Sequence, residues 1–177
     1  KSPELMASLL ERVAALARAH PDAEHVTVIT RYGDPAETEA VVDGKQIERA
    51  IYNLLLNACQ SIRDPGREAN VLITLEIQDR YMVVSVIDNG AGVPENIRGS
   101  LFEPFVSEGK HKGTGLGLTL AHCIAVEHGG EVVLLSSCPG ETIFQMKVAR
   151  ELRMQDTTTA SGYKRHDQVL ADENIRL

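Results

Sequence analysis

The sequence contains no tryptophan, and aromatic residues make up only 4% of its 177 positions. Its hydrophobic residues, 43% of the chain, are therefore almost all aliphatic, and a chain of this length can bury one ordinary core. No apolar run reaches the roughly 18 residues that a membrane-spanning helix requires. These absences predict one globular domain with an aliphatic core and no membrane contact of its own.

Basic residues are the minority among the charges, since 18 Lys and Arg stand against 25 Asp and Glu for a formal net charge of -7. An acidic chain without a basic run is a poor candidate for binding nucleic acid or an anionic membrane surface, so we expect neither. A local basic pocket for phosphate groups stays compatible with this charge.

The three cysteines, Cys59, Cys123 and Cys138, form no CxxC pair. We interpret them as buried free thiols, which fits a reducing cytoplasm. Residues 1–4 lack the features of a signal peptide, and the chain opens on Lys1 rather than Met. We therefore expect a cytoplasmic piece of a longer protein.

Hydrophobic periodicity and turn residues give the order of the elements. The strongest pattern is the stripe from Ile47 to Ile62, which predicts a helix of roughly four turns that ends at 64–66 (Asp-Pro-Gly). The other predicted elements are a helix over 3–20, strands over 26–30 and 39–42, an antiparallel hairpin over 70–78 and 81–87, a helix to about 128, and a final hairpin over 132–136 and 142–148. This order predicts an α+β fold in which a mixed sheet carries helices on one face.

The chain divides into three segments by composition. We expect an N-terminal helix and lead-in over 1–25, the main domain over 26–149, and a polar, weakly periodic tail over 150–177. The tail is compatible with disorder, with a linker or with a short docked helix.

The polar side of the long predicted helix carries Arg49, Asn53, Asn57 and Gln60, three or four positions apart and opposite the apolar stripe. Two asparagines one turn apart are unusual, because Asn is a poor helix former. One interpretation is a solvated helix face. The other is a pair of amides that face a ligand, since an amide oxygen can complete a Mg²⁺ shell beside phosphate oxygens and waters.

Two glycine-rich segments follow. In 88–92 (Asp-Asn-Gly-Ala-Gly), glycines let the backbone approach a flat ligand, and Asp88 can accept a hydrogen bond from an exocyclic amine; the alternative is a turn capped by Asp88. Residues 113–118 (Gly-Thr-Gly-Leu-Gly-Leu) precede a predicted helix, where backbone amides bind anions. They are not a dinucleotide fingerprint, because no strand directly precedes them and the third glycine is at the wrong spacing. Gly109-Lys110 is followed by His111, so there is no Walker A sequence either.

The segment between these glycines is apolar at 102–105 (Phe-Glu-Pro-Phe) and polar and basic at 107–112. Its composition suits either a plain surface loop or a hinged lid that carries Lys110 or Lys112 onto a triphosphate. The scattered histidines show no metal-ligand spacing, and we interpret them as surface or core-edge residues: His20, His25, His122, His128 and His166.

Four of these segments occur in a fixed order: 53–58 (Asn-Leu-Leu-Leu-Asn-Ala), 88–92, 102–105 and 113–118. Together they resemble the N box, first glycine box, F box and second glycine box of sensor histidine kinases, a family related to gyrase, MutL and heat-shock chaperone type ATPases. The resemblance covers about residues 26–148. It implies a two-layer α/β sandwich of the Bergerat type, with ATP between the helices under a mobile lid.

The resemblance also implies residue roles. Asn57 would hold Mg²⁺ with Asn53 supporting the phosphates, and Asp88 would bind the adenine amine, with Thr119 supporting it. The implied catalytic residues are Asn53, Asn57 and Lys110. The implied ATP-binding residues are Asn53, Asn57, Asp88, Gly90, Gly92, Lys110, Lys112, Gly113, Thr114, Gly115, Leu116, Gly117 and Thr119.

The acceptor segment of such kinases, a His followed by Glu or Asp, Leu, Arg and Pro, does not occur here, since Pro21 and Asp22 follow His20. The resemblance therefore implies transfer of the γ-phosphate of Mg-ATP to a histidine on a dimerisation domain outside this chain. A response regulator would act downstream, and this chain alone would be mainly monomeric.

Three other functions stay open. An anti-sigma-type serine kinase would share the Asn and first glycine motifs, but 102–105 and 113–118 count against it. A chaperone or topoisomerase type ATPase needs a glutamate in the N-box helix to activate water. Glu48 lies five residues before Asn53, so its distance along the helix and its different face count against this function. A nucleotide-binding regulatory module would sense ATP without transferring phosphate.

Overall fold

The computed structural model describes residues 1–62, 68–106 and 114–150. Within them, the strands are β1 (Ser2–Leu5), β2 (Val26–Tyr32), β3 (Glu39–Val42), β4 (Ala69–Gln78), β5 (Tyr81–Asp88), β6 (Glu131–Cys138) and β7 (Glu141–Ala149). The helices are α1 (Met6–Arg18), α2 (Gly44–Ser61), α3 (Glu95–Arg98) and α4 (Gly117–Glu127), with 3-10 turns at Pro21–Ala23 and Pro35–Thr38. No helix in this described part combines the length and the apolar character needed to cross a membrane.

The strands form two sheets. Five of them pair in the order β2–β4–β5–β7–β6, and β1 pairs with β3. In the larger sheet β2 runs parallel to β4, and all other neighbours are antiparallel. The predicted mixed sheet and its two hairpins, β4–β5 and β6–β7, are therefore confirmed, as is the α+β class.

Alternation along the strands shows which face of the sheet is covered. Val71 and Ile73 of β4 are fully buried, as are Phe144 and Met146 of β7, whereas the residues between them are partly exposed. A period of two is typical of a sheet with one covered face. The covering helices are α1, α2 and α4, whose apolar sides join the same core.

Helix α2 contributes the largest apolar stripe, and the predicted stripe is the one that is buried. Its buried residues are Ile47, Ala50, Ile51, Leu54, Leu55, Ala58 and Cys59. The helix begins after Asp43, whose carboxylate accepts a hydrogen bond from the Gln46 N–H at 3.1 Å. Because this face lies in the core, the polar side of α2 faces away from the sheet.

Two elements differ from the sequence prediction. The first helix begins at Met6 rather than at residue 3, because Ser2–Leu5 is extended and pairs with β3. The short helix α3 was not predicted, since its four residues are too few to show a helical period. The predicted helix end at 64–66 lies outside the described residues.

The prediction of buried thiols is right for Cys59 and wrong for Cys123 and Cys138, which are exposed. Cys123 lies on the side of α4 that faces away from the core. Burial, together with the carboxylates of Asp22 and Asp88, raises the pKa of Cys59 to about 11. That thiol therefore stays protonated and unreactive near neutral pH.

His128 is a core residue, not a surface or core-edge one. Its Nε2 accepts a hydrogen bond from the Asp43 N–H at 3.1 Å, and its Nδ1 lies 2.8 Å from the Ile124 carbonyl oxygen. Both ring nitrogens are thus paired, and the imidazole joins the end of α4 to the start of α2.

Candidate functional site

Asp88 is the last residue of β5 and is only 2% exposed. Its Oδ1 accepts hydrogen bonds from the Ser61 hydroxyl at 2.7 Å and from the Gly90 N–H at 2.9 Å. Its Oδ2 has no hydrogen-bond partner among the described residues. Burial raises the pKa of this carboxyl above its ordinary value, and the bonds from Ser61 and Gly90 partly oppose that rise. Asp88 is thus a buried acceptor with one oxygen left for a ligand.

Thr142 is the partner of Asp88 in the β5–β7 pair and is equally buried. Its hydroxyl is close enough to lower the pKa of Asp88, but it lies outside hydrogen-bond geometry, and its Oγ1 is unpaired within the described ranges. One donor or water molecule between the two side chains would satisfy both. Sequence reasoning missed Thr142, because only the strand pairing brings it to Asp88.

Gly90 and Gly92 let the backbone after β5 pass close to its neighbours. A Cβ at position 90 would lie 2.1 Å from Ser61 Oγ and 2.7 Å from Asp88 Oδ1. Gly92 has a φ of +82°, and a Cβ there would lie 3.1 Å from the carbonyl carbon of Cys138. Glycine is therefore required here by the protein's own packing, beside the approach to a ligand expected from the sequence.

The asparagines of α2 lie on its polar side, and both are half-buried. The Nδ2 of Asn53 is buried and has no partner in the described part of the chain. Its Oδ1 would lie 3.5 Å from a Cβ at Gly117, which places this amide in the cleft between α2 and the start of α4. Gln60, one turn after Asn57, is instead bonded to Asp22 Oδ2 at 2.7 Å.

The first turns of α4 add two more polar atoms. The Thr119 hydroxyl and the Nδ1 of His122 are buried and make no hydrogen bond to any described residue, Asp88 included. The His122 ring stacks on Phe102, with centroids 5.0 Å apart and an interplanar angle of 23°. His122 therefore connects the 102–105 segment to α4, a contact that the scattered histidine pattern did not predict.

The two ends of the 107–113 connection meet. The Phe105 N–H donates to the Gly115 carbonyl at 3.0 Å, and both residues have left-handed backbone, with φ of +66° and +67°. A Cβ at Gly115 would lie 2.6 Å from the Phe105 carbonyl carbon. Thr114 and Leu116 are exposed beside this junction. Among the predicted site residues, those outside the described part are Lys110, Lys112 and Gly113.

The unpaired atoms lie on neighbouring elements. Across the described residues, five buried side-chain polar atoms lack a hydrogen-bond partner: Asn53 Nδ2, Asp88 Oδ2, Thr119 Oγ1, His122 Nδ1 and Thr142 Oγ1. All belong to the polar side of α2, the first turns of α4 or the β5–β7 pair beneath them. Buried polar groups are normally satisfied, so a cluster of exceptions indicates a binding site for a polar ligand.

Ser61 is a site residue that sequence reasoning missed, although a signal was present. It lies four positions after Asn57 and seven after buried Leu54, so helical spacing places it at the edge of the apolar stripe, between the polar side of α2 and the sheet. Its serine hydroxyl gave no reason to prefer it, because the bond to Asp88 depends on how β5 docks under the helix.

Other parts of the described structure are weaker candidates for a binding site. The described ranges contain no group of three His, Cys, Asp or Glu side chains placed to hold a metal ion. A shallow depression at the other end of the sheet is lined by Gln78, Asp79, Tyr81, Gly129, Gly130, Glu131 and Lys147. None of the five unpaired atoms belongs to it, so the α2–α4 cleft remains the better candidate.

Comparison with known proteins shows a family match and relatives among the sensory histidine kinases. A profile described as histidine kinase-, DNA gyrase B- and HSP90-like ATPase matches residues 42–152. The sensory histidine kinase/phosphatase NtrB of Salmonella typhimurium is 35% identical over 152 residues, covering 81% of this chain and 42% of that protein. The chain thus spans less than half the length of this relative.

Solved structures share the fold. The nucleotide-free catalytic domain of histidine kinase ThkA superposes with a TM-score of 0.71 at 24% identity, covering 84% of this chain and 95% of that one. Full-length ShkA, solved in complex with AMPPNP, gives a TM-score of 0.72 at 25% identity, covering 86% of this chain and 32% of that one.

Proposed function

Because the chain belongs to the family of histidine kinase-, DNA gyrase B- and HSP90-like ATPases, we propose that it is the ATP-binding catalytic domain of a two-component sensor histidine kinase. In this proposal the chain binds Mg-ATP and transfers the γ-phosphate to a histidine on a dimerisation domain outside this sequence. The similarity to NtrB supports the histidine kinase branch of the family.

The observation that carries the proposal is the cluster of five unpaired buried polar atoms. The exocyclic amine of adenine donates hydrogen bonds, which suits Asp88 Oδ2 directly and Thr142 through a shared contact. Phosphate oxygens accept hydrogen bonds, which suits Asn53 Nδ2 and the Thr119 hydroxyl. Asn53 and Ser61 are a little over two turns apart on α2, about 12 Å of helix rise, so base and phosphates have separate places.

We propose that Mg²⁺ binds with the nucleotide, beside half-buried Asn57 on the polar side of α2. The amide oxygen of Asn57 would hold the ion, while phosphate oxygens and waters complete its shell. A site with so few protein ligands is usual for Mg²⁺, which binds together with nucleotide phosphates. Bound Mg²⁺ would neutralise charge on the phosphates, and Lys110 and Lys112 would add positive charge from the lid.

The chemistry follows from positioning. In phosphoryl transfer, the bond from the γ-phosphorus to the bridging oxygen breaks as a bond to the acceptor nitrogen forms, and ADP leaves. Asp88 fixes the base, while Asn53, Thr119 and the glycines of 113–117 hold the phosphates. The acceptor imidazole attacks in line through its unprotonated nitrogen. Most of the rate enhancement would come from this alignment and from charge neutralisation.

The proposal also covers the segments of the chain, its location and its partners. The catalytic unit would span residues 26–149, with 1–25 as its N-terminal helix and lead-in and 150–177 as a tail or linker. The chain would work in the cytoplasm, mainly as a monomer when alone, and the phosphate would pass from the acceptor histidine to a response regulator.

Calorimetric titration with ATP, with and without Mg²⁺, tests the binding step. We expect Mg²⁺ to strengthen ATP binding, and Asn57→Ala to remove most of that Mg²⁺ effect while leaving Mg²⁺-free binding. Asn96→Ala, on the exposed surface of α3, is the matched control and should change neither. A folded chain that binds no ATP would contradict the proposal.

Labelled ATP and a separately prepared dimerisation domain of an NtrB-type kinase test the transfer step. Acid-labile, base-stable phosphate on the histidine of that domain would support the kinase. ATP binding without any transfer would favour the nucleotide-binding regulatory module instead, and phosphate on a serine would favour the anti-sigma type.

A further inference from the structure

The loop that follows Asp88 is held from two sides. On one side, the Asn89 side chain continues the β4–β5 pairing: its Oδ1 accepts from the Asn70 N–H at 2.9 Å, and its Nδ2 donates to the Glu68 carbonyl at 2.6 Å. The Ala91 N–H also reaches the Ser61 carbonyl at 3.4 Å. The first half of the loop is thus attached to α2 and β4.

The other side of the loop rests on the β6–β7 hairpin. The Gly140 N–H donates to the Gly90 carbonyl at 2.8 Å, and the Val93 N–H donates to the Ser137 hydroxyl at 2.7 Å. Between these bonds, Gly92 lies against the Cys138 backbone. The hairpin therefore forms the wall that fixes the path of residues 90–93.

Arg98 joins the two parts. From the last turn of α3, its Nε donates to the Val93 carbonyl at 2.9 Å, and its Nη2 donates to the Ser137 carbonyl at 3.0 Å. One planar guanidinium thus binds one carbonyl of the loop and one of the hairpin. A lysine cannot reproduce this fork, because its ammonium is a single charged point on a flexible stem.

We propose that Arg98 and Ser137 are positioning residues for base recognition, which we call the hairpin clasp. The inference rests on the proposed function, since it deepens the role of the same site. The clasp holds the backbone of 90–93, and the Gly90 N–H of that backbone orients Asp88 Oδ1. The direction of Asp88 Oδ2, the acceptor for the adenine amine, therefore depends on two residues that are remote from it in sequence.

The position of the clasp makes its expected effect selective. It supports the base side of the cleft, whereas Asn53, Thr119 and Gly117 lie on the α2–α4 side. Loss of the clasp should weaken the contact that distinguishes adenine from guanine. It should leave the contacts to phosphates, and the core, unchanged.

The test compares ATP and GTP affinities of the complete chain by calorimetry, with weak ligands measured by displacement. For Arg98→Ala and for Ser137→Ala we expect ATP to bind about fivefold to tenfold more weakly, as for loss of one or two hydrogen bonds, with GTP affinity unchanged. Arg98→Lys should behave like Arg98→Ala. Arg80→Ala, at the tip of the β4–β5 hairpin, and Ser136→Ala, whose hydroxyl bonds exposed Glu141, are matched controls that should retain wild-type preference for ATP.

Each other result overturns the inference in a distinguishable way. Unchanged ATP affinity in both variants would contradict the positioning role of Arg98 and Ser137 but not the proposed function. Equal losses for ATP and GTP, together with a lower melting temperature, would show a merely structural role. Full rescue by Arg98→Lys would overturn the clasp, because a single ammonium would then replace the guanidinium that bridges the loop and hairpin carbonyls. Failure of the wild type to bind ATP would overturn both the clasp and the proposed function.

Discussion

Buried polar groups near the amino end of α2 are hydrogen-bonded, whereas some near its carboxyl end are not. At its amino end, both ring nitrogens of His128 are paired. The buried Thr38 hydroxyl, at the start of α1, is likewise paired: it accepts from the Ala7 N–H at 3.1 Å and donates to the Pro35 carbonyl at 2.7 Å. At the carboxyl end of α2, Asp88 and Thr142 are as deeply buried, yet each has an oxygen with no partner among the described residues. The buried polar groups at the amino end are thus satisfied within the protein, whereas those at the carboxyl end keep atoms free that the proposed nucleotide would pair with.

This difference predicts that paired buried groups contribute to stability and unpaired ones to ligand binding. An unpaired buried polar group costs about 1–3 kcal/mol, whereas a paired one is close to neutral or favourable. Substitutions at the amino end should therefore lower stability without touching binding. Substitutions at the carboxyl end should lower binding and leave stability equal or higher.

The largest expected effect is that of Asp88→Asn on ATP binding. Replacing a buried carboxylate by an amide removes a charge-assisted hydrogen bond to the adenine amine, so we expect ATP to bind about 100-fold more weakly. Calorimetry measures this change, and denaturant unfolding of the same variant should show no loss of stability. ATP affinity within threefold of wild type would exclude Asp88 as the base acceptor.

The opposite pattern is expected from His128→Leu at the amino end. Loss of the imidazole leaves the partly buried Asp43 N–H without its partner, which should cost about 2 kcal/mol of unfolding free energy. For a chain of this size the melting temperature would fall by about 4–8 °C. ATP affinity of the folded variant should match the wild type, and a parallel loss of ATP binding would show that the two ends are coupled.

Asp88, at the carboxyl end of α2, should make both the stability of the protein and its ATP affinity depend on pH. Because burial raises its pKa in the folded state, the native protein without ATP holds this proton to higher pH than the unfolded chain does. The carboxyl's contribution to stability is therefore fully present below the unfolded pKa of about 3.9 and is lost as pH rises through the folded pKa. ATP affinity should run the other way and fall as acid protonates Asp88.

Unfolding and ATP binding measured from pH 4 to pH 8 would test this. Asp88→Asn should remove the Asp88 contribution from both profiles, since an amide does not titrate. Superimposable stability profiles for the variant and the wild type would show that the folded pKa is not raised.

The smallest expected effect comes from a matched pair of threonines. Thr142→Val removes an unpaired hydroxyl, so stability without ATP should stay equal or rise by up to about 1 kcal/mol, with ATP affinity down about threefold. Thr38→Val removes a hydroxyl with two partners and should cost about 1–2 kcal/mol with no change in ATP affinity. Two threonine substitutions with the same sign of stability change would contradict the distinction between paired and unpaired buried hydroxyls.

The sequence predicted correctly those helices and strands whose residue pattern depends on near neighbours in the chain. The stripe of α2 was readable because one helical face is buried from Ile47 to Cys59, and β4 and β5 because their turn is short. Strand β1 was not readable, because Ser2–Leu5 is extended only through its pairing with β3. Residues before Met6 therefore looked like the start of the helix.

The candidate site divides in the same manner. Asn53 and Asp88 stood out because unusual residue types occupy strong elements, and the structure places Asn53 between α2 and α4 and Asp88 against the carboxyl end of α2. Thr142, Ser137 and Arg98 had no local signal, since their roles come from strand register and from hydrogen bonds between distant segments. Contacts that depend on three-dimensional register have no period in the sequence.

The parallel pairing of β2 with β4 has a consequence for how the chain folds. Val26 pairs with Ala69, so β3 and all of α2 lie between the paired segments, whereas β4–β5 and β6–β7 each close through a short turn. Closing a long loop costs more chain entropy than closing a short one, so the two hairpins should form early and β2 should join last. We therefore expect β2, at the sheet edge, to exchange its amide protons in the native protein before the central strands β4 and β5 do.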